Sequence, residues 1–223
     1  MYRGEVNQHY NQIRNVNSSA VLKVVGEGRI SVTPDRVEIL LGVISEEATV
    51  ASAQQTNATF ISGIIQAILN LGISRDRIQT STFRIDPQYD YLEGEQVFRG
   101  YRVAHLLKLT LDQVEQAGTV IDVAVEQGAN TVASIIFTIR DPSTIYQAAL
   151  VQAIEEANQK ASVMSNAIGV ALHPIPIKMT EINKTAPIPY YPAVLSAQVG
   201  ATPIQEGELT ISAAVELEYT YLV

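Results

Sequence analysis

The stretch Gly207–Val223 alternates between two kinds of residue. Leu209, Ile211, Ala213, Val215, Leu217, Tyr219 and Tyr221 fall on one side, and Thr210, Ser212, Ala214, Glu216, Glu218 and Thr220 on the other. Successive strand residues point to opposite faces, so this is a strand with one buried face and one solvated face. Parallel sheets, covered on both faces, read as continuous apolar runs instead, so the alternation points to an antiparallel sheet. At 47% hydrophobic and 17% charged, the 223 residues can supply a substantial core against that buried face.

The rest of the chain divides readily. Residues 20–32, AVLKVVGEGRISV, read as a strand bent or bulged at Gly26 and Gly28. After a TPDR turn, residues 36–48 form a second strand with Val37, Ile39, Leu41 and Val43 on one face. Phe60, Ile61, Ile64, Ile65, Ile68 and Leu69 recur at helical spacing. Gly72 is expected just past that helix in a left-handed conformation, with Ile73 folding back as its apolar partner. Two strands follow, turning at Glu93-Gly94; in the second, Tyr101, Val103, His105, Leu107 and Leu109 share a face. A second helix is predicted from Asp112, with Asp112 and Glu115 as a capping box and Gly128 as its end. The strand TVASIIFTIRD leads to a third helix with Asp141 as N-cap, Pro142 in its first turn and Gly169 beyond its end. Its inner stripe is Ala149, Ala153, Ala157, Ala161, Met164 and Ile168, mostly small residues that permit close approach to a neighbour. Pro174 and Pro176 place the next strand, HPIPIKMTEI, at an edge or a strand start.

This order implies an α+β fold, antiparallel sheets packed with three helices. Residues 1–19, polar and rich in Asn, Gln and Tyr, read as a loose arm, and 20–223 as the folded domain. Within it, 36–111 and 131–223 both read strand, helix, strand, strand, which suggests two similar halves.

Residues 183–208 stand apart. Pro187, Pro189, Pro192 and Pro203 fall here, and no charge lies between Lys184 and Glu206. Prolines lack ladder donors, so the segment reads as a long irregular loop and not as a strand. Loops this long inside compact domains are functional or disordered, and disordered ones are charged and poor in bulky apolar groups. A second tyrosine-bearing excursion spans residues 86–100, where Asp86 and Asp90 flank Pro87 as local backbone caps. Tyr89, Tyr91 and Phe98 in one excursion and Pro189, Tyr190, Tyr191 and Pro192 in the other form the candidate contact surface, since tyrosine favours interfaces.

Other chemistries lack support. A formal charge of −8 without a run of Lys or Arg disfavours nucleic acid. With no cysteine there is no disulfide, thiolate nucleophile or cysteine-based metal site. Neither His9, His105 nor His173 has a second ligand at metal spacing, and no catalytic residue, metal or cofactor is assigned. His105 reads as a structural histidine; an enzymatic role would require it beside a carboxylate and a Ser or Thr in an open pocket. Glu46-Glu47 at a strand end and Glu155-Glu156 on a helix's outer face read as solvated charge. Gly26-Glu27-Gly28 lacks the further glycine and the strand-to-helix setting of a dinucleotide loop. No apolar stretch is long enough to span a membrane, and the N-terminal residues lack an apolar leader core, so a cytoplasmic chain is expected.

Five stretches in order, VVGEGRISVTPDRVEILLGV, DRIQTSTFRIDPQYDY, FRGYRV, GANTVASIIFTIRDP and ALVQAIEEANQKASVMSNAIGV, resemble the SIMPL-domain family. The resemblance covers about residues 20–223. It implies an α+β protein of antiparallel sheet and helices, ring-like homo-oligomers in some members, and roles in stress protection or envelope association. It supplies no catalytic residues to carry over. Many bacterial relatives have a signal peptide, and none is expected here from the polar N-terminal residues. Sequence and resemblance together predict a non-enzymatic, self-assembling homo-oligomer, ring- or channel-like and stress-related. The alternative is a small-ligand binding protein with a cleft between the halves lined by loop tyrosines.

Overall fold

The computed structural model describes residues 21–182, the backbone of 188–190, and residues 204–222. Along the chain these form β1 (Val21–Val32), β2 (Arg36–Glu47), α1 (Val50–Asn70), β3 (Ile78–Leu92), β4 (Glu95–Leu111), α2 (Ala117–Glu126), β5 (Thr131–Thr138), α3 (Ser143–Ala167), β6 (Lys178–Ile182), β7 (Ile188–Tyr190) and β8 (Glu208–Thr220). Every strand pairing is antiparallel, and the strands make two sheets, so the fold is α+β. In the first, β8 lies between β1 and β6, and β7 continues along the β6 side of β8. In the second the order is β3-β4-β2-β5. The elements from 131 onward, β5, α3, β6, β7 and β8, include one strand more than the β2, α1, β3 and β4 of 36–111, and the pairing differs as well. β2 lies beside β4, whereas β5 hydrogen-bonds to β2, and β1 takes the place beside β8.

Each sheet buries one face under helices. The predicted face of β2, Val37, Ile39, Leu41 and Val43, is fully buried with Leu107 and Leu109 of β4 against Ile61, Ile64 and Ile68 of α1 and Val120 and Ala124 of α2. On the first sheet, Leu22, Val24, Val215 and Leu217 meet Ala153, Ala157 and Ala161 of α3. A smaller cluster of Ile139, Leu209 and Ile211 packs with Val32, Ile145 and Tyr146. The helices end as the sequence predicts, before Gly72, Gly128 and Gly169, all at positive φ. In α3 the Gly169 N–H reaches Asn166 O and the Val170 N–H reaches Ser165 O, the paired bonds of a Schellman end.

Gly26 and Gly28 are not a bulge: β1 pairs with β8 without a register shift. Their role is to admit α3. A Cβ on Gly26 would lie 2.0 Å from Ala153 O, and one on Gly28 1.8 Å from Ala149 O. Two glycines on the strand and a stripe of alanines on the helix thus bring backbone against backbone. The stripe continues to buried Ser165, while Met164 and Ile168, expected inside, are exposed. Packing follows the inclined i, i+4 row of the helix surface, and that row runs through 149, 153, 157, 161 and 165.

Several local expectations yield to tertiary contacts. Asp112 caps no helix, because Arg36, Arg77 and Arg140 converge on its carboxylate at 3.0, 2.6 and 3.6 Å. Burial alone would raise its pKa, but the Arg36 hydrogen bond and the charges of Arg140 and Arg77 hold it below the ordinary range. Asp141, by contrast, does meet the start of α3: it accepts from the Ser143 N–H at 3.0 Å across Pro142, which is already helical. β3 includes Pro87, and the flanking acids expected as backbone caps pair with arginines instead: Asp86 with Arg84 at 2.6 Å and Asp90 with Arg99 at 3.7 Å. Pro189, placed in an irregular loop by the sequence, sits within the three-residue strand β7. Both β3 and β7 are edge strands, where a missing N–H can be tolerated.

Glu156, a largely solvated charge as expected, also makes a contact across the fold. Its carboxylate accepts the Glu27 N–H of β1 at 2.5 Å, and Lys160, one turn later, donates to Val25 O at 2.9 Å. The Glu27 N–H and the Lys160 ammonium hold Glu156 below the ordinary carboxylate pKa. Two side chains of α3 therefore occupy backbone groups on the free edge of β1.

Candidate functional site

Among the described residues, the most exposed aromatic group lies on the β3–β4 hairpin. Glu93 and Gly94 both have positive φ, +53° and +91°, the signature of a type I′ turn, whose twist suits a two-residue hairpin. The turn sets Leu92 opposite Glu95 and Tyr89 opposite Phe98. Lower down the register shifts: Gln88 faces Gly100, leaving Arg99 as an extra residue on β4. Gly100 is needed there because its own φ is +155° and a Cβ would lie 2.6 Å from Glu47 O.

The bulge re-aims the side chains beyond it. Tyr89 and Phe98 stack edge-to-face at 5.7 Å, and Phe98 and Tyr101 at 5.2 Å. Tyr89, Leu92, Val97 and Phe98 are exposed, and Tyr91 is 74% exposed. At the base an open cavity of ≈ 330 Å³ is lined by Glu46, Glu47, Ala48, Gln88, Arg99, Gly100 and Tyr101. Arg99 donates to Glu46 there, and Arg102 Nε lies 4.0 Å from the same carboxylate. The structure thus unites Tyr89, Tyr91 and Phe98 on one element. It adds Tyr101, which strand alternation alone places on the His105 face; a glycine within a strand was the available signal of a bulge. Pro189 and Tyr190 pair through their backbone with Leu209 and Glu208. Tyr191 and Pro192 lie outside the described residues.

His105 sits half-buried with Thr80 Oγ1 3.1 Å from its Nε2 and Phe83 edge-on at 5.2 Å. Its contacts among the described residues are thus a hydroxyl and a ring. Burial lowers its pKa below the ordinary histidine value. Below about pH 6.5 the unfolded chain therefore binds the proton more readily than the folded one, and stability falls as pH drops from there toward the folded pKa. The stability difference between wild type and His105→Gln should accordingly grow as pH rises from 5 to 7 in denaturant titrations. A pH-independent difference would contradict a buried neutral imidazole. Among the described residues, no group of three or more His, Asp or Glu is placed to hold a metal ion, and no helix is long and apolar enough to cross a membrane.

Known proteins place this architecture. The family model SIMPL, described as a protein of unknown function (DUF541), matches residues 22–219. The 26 kDa periplasmic immunogenic protein of Brucella melitensis is 24% identical over 211 residues, covering 90% of this chain and 84% of the relative. The uncharacterized protein YggE of Escherichia coli K12 is 22% identical over 193 residues, covering 86% and 77%. The family match runs from the second residue of β1 to the penultimate residue of β8, both sheets included, and the chain belongs to the SIMPL family.

Proposed function

We propose that the chain is a non-catalytic, self-assembling protein whose subunit contacts are carried by the hairpin tip and by the segment 183–207. The observation that carries this reading is the tip itself. Tyr89, Tyr91 and Phe98 share one exposed face of a hairpin closed by a type I′ turn, with Tyr89 and Phe98 stacked edge-to-face, and Leu92 and Val97 are exposed on the other face. An exposed, rigid aromatic patch of this kind favours a protein contact, because aromatic side chains bring large area at low entropic cost. Light scattering on a sizing column is expected to give a discrete multimer. Deleting 187–203, or replacing Tyr91 and Phe98 by Ser, is expected to lower its mass while circular dichroism stays native. Unchanged mass in both variants would sink the assembly role of these elements.

The cavity beside Arg99 favours a second reading, a small polar ligand held at the hairpin base; a ligand-induced rise in melting temperature that Arg99→Ala abolishes would support it. The Brucella relative is named a periplasmic protein. We infer the same compartment for this chain in place of the cytoplasm, and a chain without cysteine is indifferent to an oxidising space. Fractionation of expressing cells tests that location.

A further inference from the structure

The cavity at the hairpin base holds a carboxylate that the chain itself does not neutralise. Arg99 donates to Glu46 and lies 3.7 Å from Asp90, and Arg102 Nε lies 4.0 Å from Glu46. Both neighbouring guanidinium groups are thus committed to Glu46. Glu47, the other acid of the lining, makes no ion pair among the described residues; its contact there is the Thr56 hydroxyl at 3.5 Å. The backbone fixes where that carboxylate sits. Glu47 and Tyr101 stand opposite each other across the β2–β4 pair, so their side chains are neighbours on one face. Gly100 packs so closely on Glu47 that a Cβ there would lie 2.6 Å from the Glu47 carbonyl oxygen. Phe98, stacked edge-to-face, steadies the Tyr101 ring.

A lone carboxylate beside an aromatic ring selects among guests. An anion is repelled by Glu47. A hard divalent cation binds through several oxygen ligands at once, and a ring supplies none. An organic ammonium is served by both groups, through charge-assisted hydrogen bonds to the carboxylate and attraction to the ring. The volume of ≈ 330 Å³ stands at the low end of small-molecule sites, about 300–1,000 Å³. Resting on the reading of this cavity as a small-ligand site, we infer that its ligand is a small aliphatic amine, with the ammonium seated on Glu47 and against Tyr101. Arg99 closes a wall of the cavity through its contact with Glu46, and Glu47 is the charge that selects.

Putrescine, 1,4-butanediol and succinate have the same carbon count and differ in charge. Putrescine is expected to raise the Tm of the full chain and to shift the amide resonances of Ala48 and Gly100. At the same ionic strength, 1,4-butanediol and succinate should do neither. Glu47→Gln, at a partly exposed position and nearly isosteric, should weaken putrescine binding about tenfold or more while circular dichroism stays native, the loss expected for a hydrogen bond between charged groups. Preferential binding of 1,4-butanediol or succinate overturns the inference and leaves the small-ligand reading standing. So does putrescine binding that Glu47→Gln leaves unchanged. No response of wild type to any of the three overturns both.

Discussion

Gly28→Ala is expected to cost about 3 kcal/mol or more, although it adds a single methyl group. The new Cβ would lie 1.8 Å from Ala149 O and 2.8 Å from Ala153 N, both backbone atoms of α3. A clash with the end of a flexible side chain relaxes cheaply; a clash with helix backbone relaxes only by moving the helix. Shifting α3 would open the contact of Ala153, Ala157 and Ala161 with Leu22, Val24, Val215 and Leu217. Overpacking a core typically costs about 1–3 kcal/mol, and here no rotamer offers relief. For a chain of this size the loss corresponds to a fall in Tm of roughly 6–12 °C. Gly63→Ala is the matched control. Gly63 lies within α1, and its added Cβ would meet only Gln127 Oε1 at 3.5 Å. Relieved of a helix-interior glycine, that variant should gain about 0.5–1 kcal/mol. Thermal and urea unfolding of the two variants should therefore move in opposite directions. If Gly28→Ala melts within a degree or two of wild type, the close approach of α3 to β1 is wrong.

Asn57→Asp should be comparably severe. Asn57 lies on α1 and is 1% exposed. Its Nδ2 donates to Val43 O at 3.0 Å and to Val103 O at 3.3 Å, tying the helix to β2 and β4 together. Oδ1 meets no donor among the described residues. Replacing the amide by a carboxyl keeps the shape but removes both donors and sets an acceptor against two carbonyls. Unpaired buried groups cost about 1–3 kcal/mol each, and a buried charge more, so a loss of about 3–5 kcal/mol is expected at neutral pH. The introduced carboxyl would have its pKa raised in the folded state, by burial and by the facing carbonyls. Its protonated form is the better tolerated, so the penalty should be smallest below about pH 4, the unfolded carboxyl range, and grow as pH rises. Denaturant midpoints of the variant relative to wild type, measured between pH 4 and 7, check that sign. A penalty that shrinks toward pH 7 would contradict the placement of Asn57.

Most of the architecture is legible in periodicity. The alternation in β8 and the helical spacing of Ile61, Ile64 and Ile68 are consequences of burial, and burial dominates both elements. Helix ends are legible for a local reason, since Gly72, Gly128 and Gly169 adopt φ values that other residues resist. What escapes sequence is long-range. Asp112 looks like a cap until the fold brings together arginines from positions 36, 77 and 140. Gly26 and Gly28 look like a bulge until a helix more than a hundred residues later lies across them. At the candidate site the tyrosines stand out by composition, whereas Tyr101 joins them only through an extra residue at Arg99, which changes the strand's phase.

The side chains of Glu156 and Lys160 on the edge of β1 give the first sheet a direction. A strand approaching from that side would find the Glu27 N–H and the Val25 carbonyl already taken, and would have to displace an ion pair spaced one helical turn apart, 3.1 Å across. The far side of the same sheet ends in the short strands β6 and β7. Recruitment of a further strand at the middle of β1, whether by a partner or by a misfolded neighbour, is opposed by side chains of the sheet's own covering helix.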